Sequence, residues 1–118
     1  QIGCPTSAHE IARVMVSTLA YIETADCTSG IYNICSDSPR SWYDFATAIC
    51  EEALALGLLS RAVKIRPITA DQYPTPAQRP AYSVLDKTSS WRDFALEGVH
   101  WRGQLRAMLK DFKELENG

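Results

Sequence analysis

The sequence is short of the signatures that most directly assign a function. Four cysteines and two histidines include no Cys-x-x-Cys or His-x-x-x-His pair, so nothing has the ligand spacing of a zinc site. Cys4, Cys27, Cys35 and Cys50 also lack the dense pattern of a small secreted disulfide scaffold and are expected to be reduced thiols. No apolar run approaches the roughly 20 residues of a membrane span. No basic stretch, apolar stretch and cleavage site open the chain, which makes a cytoplasmic location the expectation. An excess of one charge is missing too: 12 basic and 14 acidic residues leave a net −2, and the basic ones are scattered. Nothing therefore draws a nucleic-acid backbone or an anionic membrane. The six glycines are dispersed, so there is no glycine-rich strand-to-helix turn of the kind that lets backbone approach a dinucleotide pyrophosphate.

What is present is the material of one soluble domain spanning residues 1–118: 46% apolar and 22% charged residues, with no repeat or low-complexity tract. Ser7-Ala8-His9-Glu10 has the Ser-x-x-Glu form of a capping box, in which the two polar side chains satisfy amides left unpaired at a helix start. Ala8, Ile11, Ala12, Met15, Leu19 and Ile22 then recur at helical spacing, giving an apolar face expected to lie on a core. His9 is expected at the surface. Residues 30–35 are β-prone, begin with glycine and run into Ser36-Asp37-Ser38-Pro39, a strand-then-turn pattern. A helix follows from Ser41, with Asp44 in the answering capping position. Trp42, Phe45, Ile49, Ala53 and Leu56 share one face, and Gly57 stops it.

Residues 63–68 alternate apolar and polar as a half-exposed strand does, with Pro67 placing it at an edge or a strand end. A short helix is expected over 89–94. A longer one starts at Trp101, burying Leu105, Met108, Phe112 and Leu115 and leaving Arg102, Arg106, Lys110, Lys113 and Glu114 as a solvated face. Helices alternating with strands predict an α/β architecture, a small parallel sheet with helical crossovers. A self-contained bundle of four helices is the alternative, and it requires 30–35 and 63–68 not to pair as strands.

Between these elements, residues 69–83 form a loop too long and too proline-rich for a simple connection, and such loops often carry function. Pro76 and Pro80 bracket Arg79, restricting the backbone around it. By composition alone Arg79 reads as a surface arginine. Tyr73 and Tyr82 serve equally well to stack on a ligand or to pack the loop on its own domain. Trp42, at the start of an amphipathic helix, is favoured for core or domain-interface packing over a cleft role. Gly3, Pro5 and Thr6 read as a rigid turn into the first helix, with the Thr6 hydroxyl as a candidate polar contact.

Four pieces occur in order: Gln1-Ile2-Gly3-Cys4-Pro5-Thr6, Gly30-Ile31-Tyr32-Asn33, Ser41-Trp42-Tyr43-Asp44-Phe45-Ala46 and Tyr73-Pro74-Thr75-Pro76-Ala77-Gln78-Arg79-Pro80. With Leu85-Asp86-Lys87 and Trp101-x-x-x-Leu105, this series resembles the C-terminal, substrate-binding part of the dTDP-4-dehydrorhamnose reductases, extended short-chain dehydrogenases. The resemblance covers nearly the whole chain. It implies an enzyme that reduces the 4-keto sugar of dTDP-6-deoxy-L-lyxo-4-hexulose with NADPH to give dTDP-L-rhamnose, a precursor of bacterial surface polysaccharide. It also implies an upstream Rossmann half as partner, Mg2+ as a further candidate cofactor and a homo-oligomer as a candidate assembly.

The family's proton donor is a tyrosine with a lysine four residues later, and none of the five tyrosines here has that lysine. By itself the chain is therefore expected neither to bind nor to oxidise NADPH. The resemblance moves Arg79 from surface residue to substrate ligand, because a nucleotide-sugar diphosphate is best met by a planar, permanently charged guanidinium. Tyr73, Tyr82, Trp42 and Thr6 are the further substrate-binding candidates. A non-catalytic regulatory or protein-interaction module of the same fold is the rival role, separable by measuring partner binding.

Overall fold

The computed structural model describes residues 1–26 and 29–118, so the expectation for Cys27 lies outside the described residues. The chain runs through β1 (Ile2–Gly3), α1 (Ala8–Ile22), β2 (Arg40–Ser41), α2 (Trp42–Ala55), a 3-10 turn (Ala70–Gln72), α3 (Thr88–Phe94) and α4 (Trp101–Glu116). Ser7 caps α1, its hydroxyl accepting from the Glu10 amide at 3.1 Å. Only that half of the expected box forms, because the Glu10 carboxylate accepts from Arg13 at 2.6 and 2.8 Å instead. At α2 the box is complete: Ser41 Oγ accepts from the Asp44 amide at 3.1 Å and Asp44 Oδ2 from the Ser41 amide at 3.3 Å. Gly57 ends this helix at φ +73°, a left-handed conformation that glycine adopts without steric cost.

The helices pack as two pairs. α2 lies on α4, where Ala48, Trp101, Leu105 and Leu109 are buried and Phe45, Ile49 and Leu56 close over them. Phe45 meets Trp101 edge-on at 5.7 Å between ring centroids, an arrangement aromatic quadrupoles favour. α1 lies on α3, with Val14 fully buried and Phe94 taking edge contacts from Tyr21 and Tyr32. Gln104 on α4 links the pairs, accepting from the Ser7 amide at 3.1 Å and donating to Ser36 Oγ at 2.8 Å and to the Val99 carbonyl at 3.2 Å.

Several expectations are corrected. In place of a parallel sheet with crossovers, β1 and β2 make an antiparallel ladder two residues long, joined by isolated parallel bridges at Ile2–Tyr82 and Asp37–His100. Residues 30–35 are not a strand, because the side chains around α3 take their backbone groups. Ser90 Oγ donates to the Asn33 carbonyl at 2.6 Å and Lys87 Nζ to the Cys35 carbonyl at 3.1 Å. Residues 63–68 carry no backbone hydrogen bond to another described segment, so they form no strand either. The bundle alternative is not matched, since the two helix pairs share no single core.

The faces of two helices also differ from the reading. On α1 the stripe of Ile11, Met15, Leu19 and Ile22 points outward, and Glu10 and Val14 are the residues turned in. On α4 the buried stripe is Trp101, Leu105 and Leu109, leaving Met108 and Phe112 about half exposed and Leu115 at 81%. The charges of α4 are not a solvated face throughout: Arg102 and Arg106 both grip the buried Glu52 of α2, and Lys113 Nζ donates to the Leu56 carbonyl closing that helix. Apolar packing alone does not fix the rotation of α4. These ionic anchors, all on one side, do.

Candidate functional site

The loop of 69–83 is organised at both ends. At its start the Gln72 side chain accepts from the Thr69 amide at 3.0 Å, and the Gln72 and Tyr73 amides close a 3-10 turn. At its end the Ile2 amide donates to the Ala81 carbonyl at 2.8 Å and the Ser83 amide to the Ile2 carbonyl at 2.9 Å. β1 is thereby the middle of three short segments, with β2 antiparallel on one side in the register Ile2–Ser41 and Gly3–Arg40. Gly3 permits the close approach: a Cβ there would sit 3.0 Å from Ser83 Oγ. Between the two anchors every residue of the loop is exposed, and Thr75 Oγ1 donating to the Ala77 carbonyl at 2.8 Å gives it local shape.

This arrangement gathers part of the candidate set. Tyr82 bridges Ile2 on one side of β1 and Ser41 pairs Ile2 on the other, with Trp42 following Ser41 directly, so Tyr82 and Trp42 flank β1. Arg79 precedes that anchor by two residues. It is exposed and makes no ion pair or hydrogen bond with any described residue, leaving all five guanidinium donors unused. Tyr73 lies at the far end of the loop, 69% exposed. Trp42 is 63% exposed and touches Phe45 edge-on, so it is not a core residue.

Thr6 is committed internally: its hydroxyl donates to the Cys4 carbonyl and accepts from the Ser36 amide, both at 3.0 Å. Arg40 was missed by the sequence reading. It stands on β2 beside Gly3, exposed, across β1 from Tyr82. Strands of two residues carry no alternation that could have shown it.

A concavity of about 200 Å³ lies between the start of α1 and α4, and a shallower one of about 500 Å³ between α1 and α3. Neither is lined by the loop. Pro5, Ala8, Phe45, Trp101 and Met108 make the first largely apolar, and the buried Trp101 Nε1 has no acceptor among the described residues. Burial pushes the Cys4 thiol up to about 11, with Cys35 beside it adding to the effect, so Cys4 is protonated at neutral pH. Cys4, Cys35 and Cys50 are unpaired thiols.

The β1-to-α1 turn lacks the features of a dinucleotide-binding turn. It is Cys4-Pro5-Thr6-Ser7, without the glycines that close approach needs, and the Ser7 amide and both hydroxyls are already bonded within the chain. No group of three or more His, Cys, Asp or Glu side chains converges for a metal among the described residues. No helix among them is long and apolar enough to cross a membrane.

A family profile described as the RmlD substrate binding domain matches residues 1–114. The chain is 37% identical over 107 residues to a dTDP-4-dehydrorhamnose reductase of Aggregatibacter actinomycetemcomitans, covering 90% of this chain and 36% of that protein. It is 33% identical over 112 residues to the spore coat polysaccharide biosynthesis protein SpsK of Bacillus subtilis (strain 168), covering 94% and 35%. Among solved structures, a dTDP-4-dehydrorhamnose reductase of Clostridium acetobutylicum ATCC 824 superposes with a TM-score of 0.76 at 28% identity, covering 96% of this chain and 36% of that one. The chain thus spans little more than a third of the relatives it matches.

Proposed function

This chain belongs to the dTDP-4-dehydrorhamnose reductase family, as its substrate-binding domain, and from that membership we propose that it holds the dTDP-sugar of the reaction through the loop of 69–83. The whole enzyme on this reading reduces dTDP-6-deoxy-L-lyxo-4-hexulose to dTDP-L-rhamnose for surface polysaccharide, in the cytoplasm. On this reading NADPH, and any Mg2+, are held by the remaining part of the longer polypeptide, in keeping with a β1-to-α1 turn without glycines and with no group of three or more His, Cys, Asp or Glu side chains converging among the described residues. What this chain supplies is position. Arg79 pairs with the diphosphate, Tyr82 and Trp42 offer aromatic surface beside it, and Tyr73 closes the far end.

The observation that carries this reading is the unused Arg79 guanidinium, exposed in a loop whose ends are tied to β1 and to a 3-10 turn. Holding a ligand group on a preorganised loop lowers the ordering cost of binding. The loop is exposed throughout and lines neither of the two concavities, and on this reading it acts as one wall of a cleft completed elsewhere.

In the full polypeptide, Arg79→Ala is expected to weaken dTDP-L-rhamnose binding by about 2 kcal/mol, roughly 30-fold, because a charge-assisted pair is lost. Arg79→Lys restores the charge without the planar two-point contact and is expected to fall between the two. Titration calorimetry reads the order, and thermal melts of the variants control for stability. An unchanged affinity in Arg79→Ala, or an unfolded protein, sinks the assignment.

A further inference from the structure

Cys4 and Cys35 are far apart in sequence, yet their thiols are hydrogen-bonded to each other. Their backbones are held together as well. Thr6 Oγ1 donates to the Cys4 carbonyl and accepts from the Ser36 amide, both at 3.0 Å, so one hydroxyl clamps the two chain segments. Cys35 is fixed further by Lys87 Nζ, which donates to its carbonyl at 3.1 Å, and by its own Sγ, which donates to the Leu85 carbonyl at 3.8 Å.

The two sulfurs differ in access. Cys35 is buried at 7% exposure, whereas Cys4 is only partly covered. Neither holds the nucleotide-sugar on the reading above. No third thiol, histidine or carboxylate joins them into a metal-binding group among the described residues. What remains is two thiols in contact, one reachable and one behind it.

We infer that Cys4 and Cys35 form a dithiol modification site, which a small-molecule disulfide of the glutathione type converts to an intramolecular Cys4–Cys35 disulfide. Cys4, the accessible sulfur, loses its proton and attacks the small disulfide, breaking its S–S bond and forming a mixed disulfide. One glutathione leaves as thiolate and takes up a proton. Cys35 then attacks Cys4 Sγ and releases the second glutathione in the same way. The protein pair gives up two electrons and two protons, and the small disulfide accepts both.

Burial, together with the neighbouring Cys35, holds Cys4 protonated, and only the thiolate attacks, so the exchange is slow at neutral pH. Of the charges facing the pair, Lys87 favours the Cys4 thiolate and Asp37 opposes it. The position of equilibrium is set instead by how closely the fold holds the two sulfurs. Once closed, the bond fastens the end of β1, on which the loop of 69–83 is anchored, to the segment leading into β2 and α2.

The test is a thiol–disulfide equilibrium of the natural full-length polypeptide in glutathione buffers of graded ratio. Free thiols are alkylated after an acid quench, and the cross-linked peptides are mapped by mass spectrometry. The expected product joins Cys4 to Cys35 and is reversed by dithiothreitol. Its effective concentration is expected to be at least about tenfold higher in the native protein than in urea, because the fold has already brought the thiols together. Cys4→Ser is expected to remove the product and Cys50→Ser to leave it in place. A smaller ratio between native protein and urea overturns the inference. So does a native product that joins either cysteine to Cys27, to Cys50 or to a thiol outside this stretch, or one that stops at glutathione on Cys4.

Discussion

At the scale of single residues, Glu52 shows how an expectation of solvated charge turns into architecture. It is buried on α2 and accepts from Arg106 at 2.8 Å through both oxygens and from Arg102 at 2.9 Å. Those two guanidiniums hold its carboxyl down from 4.5 to about 2 against the opposing effect of burial. The folded-state value is the depressed one, so the stabilisation is fully present above about 4.5 and is lost as pH falls from there towards about 2. Glu52→Gln is expected to cost about 2 kcal/mol at pH 7, below the value for a fully buried pair because both arginines can rehydrate. It is also expected to flatten the dependence of stability on pH within that window. Urea denaturation of both proteins between pH 2.5 and 7 checks this, and parallel curves would contradict it.

Residues were unevenly legible. The capping serines 7 and 41 and the stop at Gly57 were readable because they are local chemistry, decided by a few neighbouring side chains. Thr6 was open between two roles, and the Ser36 amide that claims it lies 30 residues away. Arg79 could be singled out only through the ordered series of motifs, since a proline-bracketed arginine is by itself an ordinary surface residue.

At the scale of elements, periodicity located the helices but did not orient them. It identifies an apolar stripe without saying what covers it, and on α1 that stripe faces away from the chain. α4 carries two neighbouring stripes, 101, 105 and 109 against 108, 112 and 115. The choice between them is made by Arg102 and Arg106 reaching Glu52, contacts 50 and 54 residues apart in sequence. The two stripes should respond differently to truncation. Leu105→Ala removes a buried side chain from the α2–α4 core and is expected to cost about 3 kcal/mol, whereas Leu115→Ala, 81% exposed, is expected to stay within about 0.5 kcal/mol of the parent. Chemical denaturation of the two variants distinguishes this packing from the one the spacing first suggested. The expected strands failed for a related reason. A strand pattern declares an exposed edge and an apolar face, but pairing needs a neighbour, and for 63–68 none is among the described residues.

At the scale of the whole molecule, the chain is a thin layer that spans about a third of its relatives. It carries an exposed loop proposed to hold a diphosphate, and its β1-to-α1 turn lacks the glycines a dinucleotide turn needs. Those two halves of the account meet in one experiment, a two-ligand titration of the isotope-labelled chain followed by amide resonances. With dTDP-L-rhamnose, saturable shifts are expected in 73–82 and in Ile2, whose backbone the loop is anchored to, together with the adjoining Gly3 and its partner Arg40. With NADPH at the same concentrations, no saturable shift is expected anywhere. Saturable NADPH binding, or a spectrum indifferent to dTDP-L-rhamnose, would contradict the assignment of this chain as the sugar-nucleotide side of the enzyme.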